Sequence, residues 1–182
     1  MIRGAPMSLL HRALPALLLS SLLACGPSGP DDCSRYGISL APPPASARHL
    51  TCSSTACGDG QNPPTSGDHC SSTLSCRVHD TEQNRCVWLH NLEHGHAVFL
   101  YNCPEGCPDI VATLASLRQE AKAGGNGVIR AIVAPDSRIP TRVAAVLWRR
   151  SWGGDAPDAD AIRCLMQHQD AEAPEPELAC LP

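Results

Sequence analysis

Eleven cysteines in 182 residues restrict this chain more than any other feature it has. Thiols at that density belong to an oxidising compartment, where they pair and staple a fold. Ten of them, Cys33, Cys52, Cys57, Cys70, Cys76, Cys86, Cys103, Cys107, Cys164 and Cys180, are spread through the chain from its proline-rich start to its tail. The eleventh, Cys25, stands apart at the end of an apolar run. Setting it aside leaves an even number, so every other thiol can find a partner. The partners themselves cannot be read from spacing. No Cys-x-x-Cys occurs, which argues against a thioredoxin-like redox pair, and Cys103 and Cys107 read as structural half-cystines.

The start of the chain explains the odd cysteine. Arg3, His11 and Arg12 precede an apolar stretch from Ala13 to Leu23, too short to span a bilayer comfortably. It ends in Leu22-Leu23-Ala24-Cys25, with the small Ala24 directly before the cysteine, as in the bacterial lipobox. The expectation is a lipoprotein signal peptide over 1–24 and lipidation at Cys25, which tethers the chain to a membrane without crossing it. Residues 25–50 are rich in Pro, Ser, Gly and Ala and read as a proline-rich tether, part of it stapled down through Cys33. The expected location is the bacterial cell envelope, on the periplasmic or outer-membrane side. Net charge is −4, and Lys122 is the one lysine among 14 basic residues. That surface has no basic stripe to neutralise phosphates, which excludes nucleic acid as a partner.

From Cys52 to Cys86 the sequence is polar and turn-rich, and needs covalent bracing to stay ordered. Regular structure is expected further on. Ala97 to Tyr101 is a short apolar run of strand formers. Ile110, Val111, Leu114, Leu117 and Ala121 recur at helical spacing before Gly124-Gly125-Asn126-Gly127 stops them. Val128 to Ala134 and Arg142 to Trp148 read as strands. Asp158 or Asp160 can cap a last helix in which Ile162, Leu165 and Met166 share a face. The order strand, helix, strand, strand, helix predicts a small α/β body, with α+β as the alternative: a mixed sheet, two helices and a disulfide-braced N-terminal half. One globular domain is expected over 51–170, followed by an acidic, proline-bearing tail over 171–182.

Chemistry concentrates in Val87-Trp88-Leu89-His90-Asn91-Leu92-Glu93-His94-Gly95-His96, where three of eight histidines and a carboxylate fall together. Imidazoles and carboxylates bind transition metals or move protons. His90 to His94 matches H-x-x-E-H, the inverted zinc-protease signature, which needs a helix. Gly95 and the strand-like run behind it argue against a helix. The downstream carboxylates Glu172 and Glu175 sit in a proline-rich tail, so the sequence does not favour a protease. If instead a strand begins near His94, then His94 and His96 project to one face, with His90 folding over from the preceding turn. His69 can join from the rigid loop Pro63-Pro64-Thr65-Ser66-Gly67-Asp68-His69. The expected metal set is therefore His69, His90 and His94, with His96 as a fourth imidazole. Glu93 would serve as ligand, orienting group or catalytic base, and zinc or copper as the ion. The competing readings are a non-catalytic envelope domain whose histidines only brace a turn, and a metal-dependent hydrolase.

The motifs Pro-Pro-Thr-Ser-Gly-x-His at Pro63 to His69 and His-Asn-Leu-Glu-His-Gly at His90 to Gly95, with an apolar strand ending in tyrosine, resemble an uncharacterised bacterial family. It is the domain of unknown function 3105 family, and the resemblance covers about Asn62 to His168. Its members are typically exported or membrane-tethered. The resemblance implies that His69, His90, Glu93 and His94 act together, and it implies no particular reaction. The heavy cysteine load between Cys52 and Cys107 departs from the family's usual pattern.

Overall fold

The computed structural model describes Met1 and residues 33–182. The expected signal peptide and Cys25 lie outside the described residues. The architecture is mixed α+β: a five-stranded mixed sheet between helical layers, with five disulfides around it. Pairing of all ten expected cysteines fits an extracytoplasmic location. Among the described residues, no helix is long and apolar enough to cross a membrane.

Three strands form the centre: β4 (Ala97–Tyr101), β5 (Ala131–Pro135) and β6 (Val143–Leu147). Each is almost continuously apolar, because each is covered on both faces. Successive side chains alternate between two cores. Ala97 and Phe99 face the core formed with Leu114, Leu117, Ile162 and Leu165. Val98 and Leu100 face the core formed with Trp88, Leu89, Leu92 and Trp148. The first core is roofed by α2 (Pro108–Arg118) and α3 (Ala159–Met166), the second by α1 (Arg85–Glu93). β4 runs parallel to β5 across the α2 crossover and antiparallel to β6. β7 (Arg150–Gly154) pairs antiparallel with β6 and carries the short β1 (Ser39–Leu40) at the edge.

Two expectations need correcting. Among the described residues three α-helices are present where two were expected, and the additional one, α1, contains the first half of the histidine motif. The strand expected near His94 starts at Ala97 instead, so His94 and His96 do not share a strand face. Gly95 is the reason. It does not forbid the helix but ends it, taking φ 76° just past the cap and donating its N–H to the Leu92 carbonyl at 3.0 Å. A Cβ there would collide with the Asp170 carboxylate. The helix is capped at its start by Asn84, whose side chain accepts from the Cys86 N–H at 2.9 Å.

The covalent frame holds both ends of the 33–182 stretch against this body. Cys33–Cys164 ties the proline-rich segment to α3, and Cys76–Cys180 ties the tail to the face that carries α1. Cys52–Cys70 and Cys57–Cys86 brace the polar segment, and Cys103–Cys107 closes a turn before α2. From Cys33 onward, then, the stretch expected as a tether is packed on the fold. It also supplies β2 (His49–Leu50), which pairs in parallel with β3 (His69–Cys70).

Candidate metal centre

The site is assembled where β2, β3 and α1 meet. The β2–β3 register places His49 opposite His69, so both rings rise on the same side, with centroids 5.0 Å apart. On α1, His90 and Glu93 are three residues apart and share a face. That face turns toward the paired histidines: the His90 ring lies 4.8 Å from His49 and 5.0 Å from His69.

The loop leading to His69 is held tightly. Gly67 has φ 102°, and a Cβ there would come 2.6 Å from the Gly58 carbonyl carbon, so only glycine lets the two segments approach this closely. Asp59 accepts from the hydroxyls of Thr65 and Ser66 at 2.7 and 2.9 Å. Asp68 faces away from the site. It accepts from Ser46 and from the Arg48 backbone and guanidinium, which hold its carboxyl well below the usual range. Asp68 thereby fastens the residue before His49 beside β3.

Three imidazole nitrogens converge on one carboxylate oxygen. The Nε2 atoms of His69, His49 and His90 lie 3.0, 3.5 and 3.7 Å from Glu93 Oε2. One ligating atom from each of the four residues falls within a set spanning no more than 4.8 Å. Ligands bonded to a tetrahedral zinc ion at about 2 Å lie roughly 3.3 Å from one another. The observed spacing brackets that value.

His69 is oriented as a ligand would be. Its Nδ1–H donates to the Gly67 carbonyl at 2.8 Å, which leaves Nε2 to face Glu93. Burial favours the neutral ring, but Glu93 and Gly67 outweigh it and raise the His69 pKa. Burial acts on Glu93 in the opposite sense and is outweighed by His69, so its pKa is lowered. His90 differs from both. Its Nδ1 is buried with no hydrogen-bond partner among the described residues, and its Nε2 lies 3.7 Å from Glu93 Oε2, too far for a hydrogen bond. Burial, with His94 and His69 close by, pushes its pKa down to about 4. A neutral, enclosed imidazole with an uncommitted lone pair suits a cation.

The chain matches the family described as a protein of unknown function, DUF3105, over residues 50–181, more than half its length. It belongs to that family. No curated protein and no solved structure matches it. The DUF3105 match takes in the His69, His90 and Glu93 positions and starts one residue after His49.

The four histidines expected to act together in this DUF3105 chain are placed differently from one another. His69 and His90 meet at Glu93. His94 caps α1, with its ring 4.4 Å from that of His90, and its Nε2 faces Glu175 at 3.3 Å. His96 lies on the other side of the Asn91 amide. Its Nδ1 is 3.0 Å from Asn91 Nδ2, and its Nε2 is 2.9 Å from the Leu178 carbonyl, so both ring nitrogens are engaged. Cys76 and Cys180 lie beside it, but their sulfurs are bonded to each other. Sequence reasoning missed His49. The signal that could have found it is the Cys52–Cys70 bridge, which draws residues 49–52 alongside His69, and that pairing is invisible in spacing.

Proposed function

We propose that this chain is an exported, lipid-anchored protein of the bacterial envelope whose His49, His69, His90 and Glu93 bind zinc or copper. The observation that carries the metal reading is His90. A turn-bracing histidine hydrogen-bonds its surroundings, as His96 does, whereas the His90 Nε2 joins those of His49 and His69 around Glu93 Oε2 and, among the described residues, makes no hydrogen bond. Imidazole-rich donor sets suit zinc and copper above harder cations. Bound there, such an ion would supply a Lewis acid. Glu93 Oε2 is enclosed by three imidazoles, so the carboxylate acts as ligand and orienting group in preference to a free base. His49, half exposed, leaves one side open to solvent. The five disulfides and the lipobox-like Cys25 support placement in the envelope.

Zinc titration of the mature, disulfide-intact chain tests this. The wild type should bind zinc stoichiometrically, and His69→Ala and His90→Ala should each weaken the first equivalent at least about tenfold. Absence of stoichiometric zinc and copper, or unchanged affinity in both variants, would show that these histidines serve the fold alone.

A further inference from the structure

Glu93 belongs to two ligand sets at once. Besides the His49, His69 and His90 set, it forms a second with His94 and Glu175, whose ligating atoms also lie within 4.8 Å of one another. The way α1 ends produces this. His94 closes the helix, its N–H bonded to the His90 carbonyl, so its ring stands one turn on from His90 along the same face. Glu175 arrives from the far end of the chain. Its backbone N–H donates to the Glu93 carbonyl at 3.0 Å, and its Oε2 lies 3.3 Å from His94 Nε2.

Only one oxygen of Glu93 is committed to the first set. Oε2 gathers the three imidazoles, while no hydrogen bond among the described residues reaches Oε1. A carboxylate that offers one oxygen to each of two ions is the bridge of dinuclear centres, whose ions sit about 3.5–4 Å apart. The bland account is a surface ion pair between His94 and Glu175, an interaction that contributes little. An ion pair alone would not need the Glu175 main chain fastened to Glu93. That bond fixes the second carboxylate at a set distance from the first.

We propose that Glu93 bridges two divalent cations, one in the imidazole-rich subsite of His49, His69 and His90, the other in a carboxylate-rich subsite of His94 and Glu175. This rests on the metal reading of the first subsite given above. With one imidazole, two carboxylates and an exposed Glu175, the second subsite fills after the first and favours a harder ion or holds zinc more weakly.

The test is zinc stoichiometry on the disulfide-intact chain, with copper(II) as a magnetic probe. Wild-type protein should take up two equivalents of zinc, the second at least about tenfold weaker. His94→Gln and Glu175→Gln should each abolish the second equivalent and leave the first intact. Glu175→Gln keeps the backbone hydrogen bond to Glu93, so it isolates the carboxylate. With copper(II), an isolated-ion electron paramagnetic resonance spectrum at one equivalent should give way to a coupled-pair spectrum at two. A single equivalent at saturating zinc, a second one that survives both variants, or two uncoupled coppers would each overturn the bridge while leaving the first subsite standing. No bound metal at all would remove both.

Discussion

His90 and His96 flank the same Asn91-to-Gly95 segment and have opposite environments. His96 is buried with both ring nitrogens hydrogen-bonded, to Asn91 and to the Leu178 carbonyl, and it holds the tail against α1. His90 is buried and, among the described residues, no hydrogen bond reaches either of its nitrogens. Replacing His96 by Phe should therefore cost stability, about 1–3 kcal/mol for the carbonyl and amide left without a partner, and should spare the first zinc equivalent. Denaturant unfolding and zinc titration of the one variant read both effects. A folded His96→Phe chain that had lost zinc affinity would return His96 to the ligand set. At this scale the sequence identified the residue types and the two motifs that carry them. It could not separate a bonded imidazole from a bare one, because that difference lies in what packs against each ring. His49 was missed for the same kind of reason: only its strand register with His69 makes it a neighbour.

Among the elements, those with a clear period were legible. The β4, β5 and β6 strands and the α2 and α3 helices fall where apolar runs and helical spacing place them, and Asp158 caps α3 as its position implies. α1 and β7 were not legible. α1 is short and stopped by Gly95, so its ending resembled an absence of helix, and its clearest start signal was a single Asn at 84. β7, Arg-Ser-Trp-Gly-Gly, has little strand propensity of its own and is held by pairing with β6. The disulfides differ in what they constrain. Cys76–Cys180 joins residues 104 apart in sequence, Cys103–Cys107 residues only 4 apart. In the chain-entropy account, losing the first costs roughly 4–5 kcal/mol and losing the second roughly 2 kcal/mol. Paired Cys→Ser variants compared by denaturant unfolding should show that order. Equal losses would mean that native contacts, and not loop closure, set the stability.

At the largest scale, residues 33–182 form one body with both ends of that stretch drawn onto it, and its candidate centre is built from pieces distant in sequence: β2, β3 and the end of α1. Covalent bracing makes that assembly possible in a segment with little apolar content. Cysteine parity was visible in the sequence, whereas the connectivity that brings the pieces together was not. Beyond the body, Cys25→Ser should release the protein from membranes into the soluble envelope fraction. A variant that fractionates with membranes as firmly as the parent would refute the anchor. Whether His49, His69, His90 and Glu93 form one metal centre can be read from X-ray absorption at the zinc edge on protein loaded with a single equivalent. The expected spectrum is a shell of nitrogen and oxygen neighbours at about 2 Å with the multiple-scattering pattern of three imidazoles, falling to two in His49→Ala. A sulfur shell near 2.3 Å, or a spectrum with fewer than two imidazoles, would contradict it.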